Sequence, residues 1–210
     1  MSNEMNIVNI AVLGSTKGTV LQYVIDQIES GVLKGINIKF VLSNVEKAGI
    51  LDKARKHNLK AIYLTGKDKT REEYDIQVSQ LLENDNIDLV LLIGYMRLMS
   101  DSFVKKWLNK VVNIHPSILP AFAGQMDLNV HQAVIDRGCK LTGASLIFID
   151  ENADTGPIIS QKCIMVEQDD TAETLKIKVQ RLEGEMLVDF LYKWYENKIK
   201  VINNKVFIVN

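Results

Sequence analysis

The chain is short of cysteine, of proline and of charge of one sign, and each shortage removes a class of protein. Two cysteines in 210 residues, Cys139 and Cys163, form neither a disulfide framework nor a pair with metal-ligand or redox spacing, which predicts a reducing compartment. Lys plus Arg total 25 against 26 Asp plus Glu, a formal net charge of -1 with both signs scattered, so no basic field is available for nucleic acid. No stretch approaches the roughly 20 apolar residues of a membrane span. Met1 to Asn6 is polar and acidic, and Ile7–Leu13 is too short for the apolar region of a signal peptide. These absences predict a soluble, cytoplasmic protein without nucleic-acid or membrane partners. They leave the oligomeric state open, a homodimer included.

What is present is alternation. Apolar runs at Ile7–Leu13, Ile36–Leu42, Ala61–Tyr63, Leu89–Ile93 and Val111–Ile114 are separated by segments of helical periodicity at Thr19–Ser30, Lys47–His57, Arg71–Asn84 and Asp101–Leu108. That order predicts an α/β fold, a mostly parallel Rossmann-like open sheet with helices on both faces. Beyond a helix near Asn129–Arg137 the pattern changes. Thr142–Asp150 and Pro157–Val166 are joined by a short turn, which predicts antiparallel strands in the C-terminal half. A long helix follows, with Asp170 and Glu173 read as a variant capping box and Leu175, Val179, Leu182, Met186, Phe190 and Trp194 as its core face. Val201–Val209, with Asn203-Asn204, reads as a terminal hairpin. With no repeat or low-complexity linker, residues 1–210 read as one domain: about 6–110 a nucleotide-binding half, about 111–200 a catalytic half, 201–209 the hairpin.

Only three prolines occur, and two of them bound the most informative segment, Asn113-Ile114-His115-Pro116-Ser117-Ile118-Leu119-Pro120. Alternate residues of a strand share a face, so Asn113 and His115 can point into one cleft. Pro116 favours an extended His115 and cannot continue a ladder, which places the imidazole at a strand end, where open α/β sheets bind ligands. An amide donor beside an imidazole suits acyl transfer. The alternative is a structural histidine satisfied by a backbone carbonyl.

Three other segments carry chemistry or ordinary structure. Gly14-Ser15-Thr16-Lys17-Gly18-Thr19 is either an anion site at a helix N-terminus or a turn capped by Thr19. Gly94-Tyr95-Met96-Arg97-Leu98-Met99 is a pocket rim or a packed connecting loop. Asp154-Thr155-Gly156-Pro157 reads as a tight turn, unless Asp154 reaches His115, where a carboxylate would raise the imidazole pKa above about 6.5. By helix position alone, Glu183 is a solvated flank residue and Arg71 a surface residue.

Taken together and in this order, these segments, with Val179-Gln180-Arg181-Leu182-Glu183, resemble the phosphoribosylglycinamide formyltransferases, within the wider family of folate-dependent formyltransferases. The resemblance spans about Asn6 to Lys200. It implies transfer of a formyl group from 10-formyltetrahydrofolate, a co-substrate, to the primary amine of glycinamide ribonucleotide, a step of purine biosynthesis. Asn113 would bind the formyl oxygen, His115 act as general acid, and Asp154 raise the histidine pKa and order a water. Folate would contact Arg71, Met96, Arg97, Leu98, Met99, Asn113, and the loop Asp150, Glu151, Asn152, Ala153, Asp154, with Arg71 at its glutamate tail. The ribonucleotide would contact Gly18, Thr19, Val20, Gln180 and Glu183. No metal is implied, because the leaving folate amine needs a proton rather than a Lewis acid.

The phosphate loop departs from the family's Gly-x-Gly-Ser-Asn-like run: Val20 leaves only its backbone N–H for an anion, while Lys17 adds charge. Gln125-Met126-Asp127-Leu128-Asn129 looks like a variable segment without an assigned role. The length leaves no room for the RNA-binding domain of the related methionyl-tRNA enzymes. The rivals are another folate-dependent formyltransferase, a formyltetrahydrofolate hydrolase using the same three side chains, and a non-catalytic nucleotide-binding module.

Overall fold

The structure, a computed structural model, describes residues 7–125 and 128–209; Met1–Asn6, Met126, Asp127 and Asn210 lie outside them. Apolar residues alternate or run together in seven segments that form one sheet: β1 (Val8–Leu13), β2 (Ile36–Ser43), β3 (Ala61–Tyr63), β4 (Leu89–Leu92), β5 (Val111–His115), β6 (Leu141–Phe148) and β7 (Ile158–Met165). Their spatial order is β3-β2-β1-β4-β5-β6-β7. The first five are parallel, and β6 and β7 join antiparallel. This is the α/β arrangement the alternating pattern predicts. The helices between the strands are α1 (Thr19–Glu29), α2 (Gly49–Lys56), α3 (Arg71–Asn84), α4 (Asp101–Lys106), α5 (Leu128–Asp136) and the long α6 (Ala172–Tyr195). No helix among the described residues is long and apolar enough to cross a membrane.

Both faces of the sheet are covered, as near-continuous apolar strands require. On one face Val12, Leu91, Val112 and Phe148 join Leu21 and Val24 of α1 and Val179, Met186 and Phe190 of α6. On the other, Leu13, Leu42 and Val90 meet Tyr74, Val78 and Leu82 of α3 and Phe103 of α4. Because β2 and β4 flank β1, the chain leaves β1 and β4 in opposite directions across the sheet. The loops after these two strands therefore open a crevice at their carboxyl ends, the usual ligand position in such sheets.

Two helix starts differ from the sequence expectation. α6 is capped by Thr171: its Oγ1 accepts from the Thr174 N–H at 3.3 Å, and the Thr174 Oγ1 accepts from the Thr171 N–H at 2.9 Å. Asp170 lies one residue too early and instead accepts from Glu167 N–H and Lys178. α1 has no side-chain cap; Gly18 precedes it in the left-handed region at φ +65°. The terminal hairpin pairs β8 (Ile199–Ile202) with β9 (Lys205–Ile208), starting two residues before its expected limit. Asn203 and Asn204 at φ +49° and +60° form the two-residue turn that suits strand twist.

Candidate active site

β5 carries the central pair. Asn113 and His115 are two residues apart on the sheet's carboxyl edge, and antiparallel pairing of His115 with Ser145 extends β5 one residue beyond its apolar run. Pro116 then ends the ladder. The following loop folds back on the strand, held by Ser145, whose hydroxyl donates to the Ser117 carbonyl at 2.8 Å and accepts from the Leu119 N–H at 2.9 Å. That return brings the Phe122 carbonyl within 3.2 Å of His115 Nε2.

Asp154 arrives from the turn between β6 and β7. Its backbone is left-handed at φ +57°, which turns the carboxylate inward. Oδ2 lies 3.3 Å from His115 Nδ1 and accepts from the Gly124 N–H at 2.9 Å, while Oδ1 accepts from the Asn113 side-chain amide at 3.2 Å. The three side chains singled out in the sequence therefore meet as one group, Asn113 through a hydrogen bond to Asp154 and His115 through a charge contact with it.

The electrostatics differ from expectation. His115 is 3% exposed, and its burial pushes the imidazole below its ordinary value. The Asp154 carboxylate and the Phe122 carbonyl pull it upward, but they are outweighed. The expected rise above about 6.5 is thus corrected: desolvation of a charged ring exceeds one ion-pair contact at 3.3 Å. Both ring nitrogens nevertheless face oxygen acceptors, so only an imidazolium can donate to both at once.

Two cavities meet at this group. The larger, of about 730 Å³, is enclosed by the loops after β1 and β4, the end of β5, and α6. Gly18, Thr19, Val20, Gln180 and Glu183, all expected at a ribonucleotide, line it together with Met96, Asn113, His115 and Asp154. The smaller, of about 70 Å³, is lined by Arg97, Leu98, Met99, Asn113 and the loop Asp150, Glu151, Asn152, Ala153, Asp154. Asn113, Asp154 and Tyr95 border both cavities, whereas His115 faces only the larger. A reacting group at the junction would touch the amide and the carboxylate together.

The loop after β1 is tied to the loop after β4 through Ser15. Its N–H donates to the Gly94 carbonyl at 3.0 Å, and its hydroxyl accepts from the Met96 N–H at 2.9 Å and donates to Asn44 Oδ1 at 2.6 Å. At Gly18 a Cβ would lie 2.4 Å from Ile50, so packing as well as positive φ demands glycine. The Val20 side chain is buried in the core, leaving its backbone for any cavity contact.

Glu183 departs from the reading that its helix position gives. Glu183 is 6% exposed and lines the larger cavity, so it is not a solvated flank residue; α6 presents this turn to the cavity and core rather than to water. Arg71, expected at a folate tail, is exposed in the first turn of α3 and lines neither cavity. Lys47, His131, Glu173 and Lys176, to which the sequence assigns no ligand, also line the larger cavity. A signal existed for some of these, since Glu173, Lys176, Gln180 and Glu183 recur at spacings of three and four on α6. Nothing local marked Lys47, His131 or the Phe122 carbonyl.

A doubly wound sheet with an amide, an imidazole and a carboxylate joined at the edge of a two-part cleft defines an α/β group-transfer protein. The chain belongs to the formyl transferase family, whose pattern matches residues 8–191. The trifunctional purine biosynthetic protein adenosine-3 of Bos taurus is 40% identical over 176 residues, 83% of this chain and 17% of that protein. The chain thus spans under a fifth of that curated relative's length. Glycinamide ribonucleotide transformylase 1 from Symbiobacterium toebii has the same fold at TM-score 0.91 and 29% identity, covering 97% of this chain and 95% of that one. A formyltetrahydrofolate deformylase from Pseudomonas syringae pv. tomato is also similar, at TM-score 0.88 and 25% identity, covering 98% of this chain and 67% of that one.

Proposed function

We propose that this chain transfers the formyl group of 10-formyltetrahydrofolate to the primary amine of glycinamide ribonucleotide, giving formylglycinamide ribonucleotide and tetrahydrofolate in purine biosynthesis. The observation that carries the reading is the junction of the two cavities at Asn113 and Asp154, with His115 facing the larger cavity 3.3 Å from the Asp154 carboxylate. A transferase of this kind must bring two ligands to one carbon, and a two-part cleft with a shared polar wall suits that task. The relationship to a purine biosynthetic protein and to a transformylase supports the choice of acceptor.

Attack of the neutral amine on the formyl carbon makes a tetrahedral species with a negative oxygen and a positive nitrogen. In our reading the Asn113 amide and the His115 imidazolium donate to that oxygen. Burial disfavours the charged ring even beside Asp154, so a developing oxyanion that replaces the Phe122 carbonyl at Nε2 adds an attraction that is stronger in the transition state than before it. Asp154 orients the ring through Nδ1 and orders the water through which the amine proton reaches the departing folate nitrogen. Folate would lie against Met96 to Met99 and Asp150 to Asp154. The ribonucleotide would extend along Gly18, Thr19 and Val20 toward Gln180 and Glu183, with Lys17 near its phosphate. We read the chain as one catalytic domain of about two halves. Its free thiols, Cys139 and Cys163, support a cytoplasmic location.

The second reading is hydrolysis of the formyl folate, which the likeness to a deformylase favours. Mixing the purified protein with 10-formyltetrahydrofolate, with and without glycinamide ribonucleotide, and following tetrahydrofolate release by absorbance separates the two. Release that depends on the ribonucleotide supports the transferase. Equal release without it favours the hydrolase.

A further inference from the structure

One buried carboxylate stands outside the chemistry described above. Asp75, in the first half of α3, is 2% exposed. Its Oδ2 accepts from the Ser100 N–H at 2.5 Å, and its Oδ1 is buried with no hydrogen-bond partner among the described residues. Ser100 is the N-cap of α4, with its hydroxyl accepting from the Phe103 N–H at 3.4 Å. Asp75 therefore grips the residue at which the loop after β4 becomes a helix.

The same turn of α3 supports the middle of that loop. The Tyr74 ring lies under the Arg97 guanidinium at 4.1 Å, and the Tyr74 hydroxyl accepts from the Tyr95 hydroxyl at 3.3 Å. Gly66 closes the other side, where a Cβ would come within 2.4 Å of Arg97 Nη1. Arg97 Nε is itself buried without a hydrogen-bond partner among the described residues. A carboxylate on α3 with an unfilled acceptor thus faces a loop that carries a guanidinium with an unfilled donor, the cation within electrostatic reach of Asp75.

We propose that Asp75 is a positioning residue for the smaller cavity, clamping the loop 94–100 so that Arg97, Leu98 and Met99 form its wall before a ligand arrives. The inference rests on the reading of that cavity as the folate side. Burying a carboxylate with an unfilled oxygen is costly, and a neutral acceptor would satisfy the Ser100 N–H. What the charge adds is a stronger bond to the loop end and attraction for the cation in the middle of the loop. Burial raises the Asp75 carboxyl pKa, and the Ser100 N–H and hydroxyl, then Arg97 and Arg71, act against that rise. A loop held in its binding geometry spares the ligand the entropy of ordering it.

The test compares the purified chain with Asp75→Ala and with Ser100→Pro, which deletes the N–H donor together with the capping hydroxyl at a residue whose φ of -74° suits proline. Ser100→Ala is compared as well; it deletes the hydroxyl alone and should leave tetrahydrofolate binding unchanged. Tetrahydrofolate binding is measured by intrinsic fluorescence, with the KM of each substrate, kcat and the melting curve. Asp75→Ala and Ser100→Pro are expected to weaken tetrahydrofolate binding on the order of tenfold, as loss of one hydrogen bond to a charged group implies. The folate KM should rise alike, while the ribonucleotide KM and kcat stay within about threefold. If Asp75→Ala fails to fold, Ser100→Pro carries the measurement. Unchanged tetrahydrofolate binding in folded Asp75→Ala or Ser100→Pro, or a parallel rise in both KM values, overturns the clamp alone. Absence of tetrahydrofolate binding by the unaltered chain overturns the folate reading and the clamp together.

Discussion

Asp154 Oδ2 sits 3.3 Å from His115 Nδ1 while its Oδ1 holds the Asn113 amide at 3.2 Å. One carboxylate thus orients both donors of the cleft. Its own position depends on the left-handed backbone at residue 154 and on the Gly124 N–H. Because these contacts are shared, changes at the three positions should not add independently.

Asn113→Ala and His115→Ala are expected to lower kcat by at least about 10²-fold each, the usual loss for one preorganised oxyanion donor. Circular dichroism should show both variants folded. Turnover near that of the unaltered protein in either would remove that side chain from the chemistry.

Asp154→Asn keeps the shape and deletes the charge that pulls the His115 pKa upward. The ring should then titrate at a still lower pH by NMR, with a large fall in kcat and limited loss of folate binding. An unmoved titration would break the coupling between the two residues.

Stability should depend on pH through the same ring. Unfolded, the imidazole titrates near its reference of about 6.5; folded, burial holds it lower. Between the two values the unfolded chain binds more protons, so stability rises with pH across that window. The penalty is absent above about 6.5 and grows as pH falls toward the folded value. Melting curves of the protein and of His115→Gln from pH 5 to 8 provide the check. The variant should gain on the parent as pH falls, and parallel curves would contradict the assignment.

Gly18→Ala places a Cβ at φ +65° and 2.4 Å from Ile50. The left-handed conformation alone costs about 1–2 kcal/mol for a residue with a Cβ, and each kcal/mol lowers Tm by about 2–4 °C in a chain of this size. Differential scanning calorimetry should show at least that fall, and the ribonucleotide KM should rise because the displaced turn lines the larger cavity. A Tm unchanged by the substitution would mean that the turn relaxes freely.

Thr171→Ala removes the cap of the longest helix, which is expected to cost about 1 kcal/mol without altering kcat. Chemical denaturation measures the first and the standard assay the second. An equal loss of kcat would tie this helix end to the chemistry.

The chain's own order of residues determined the layered α/β architecture, since periods of two and 3.6 act over a few residues and do not need the rest of the molecule. β3 and α3 fall at their expected limits, and Asn113 and His115 share a face because strand geometry alone requires it. Tertiary structure decided what depends on distant contacts and on exclusion of water. It brought Asp154 across 41 positions to Asn113, moved the helix cap from Asp170 to Thr171, buried Glu183 and left Arg71 outside both cavities. It also reversed the expected shift of His115. A sequence names the charges that can meet a ring, but the cost of removing water from that ring exists only once the chain has closed around it.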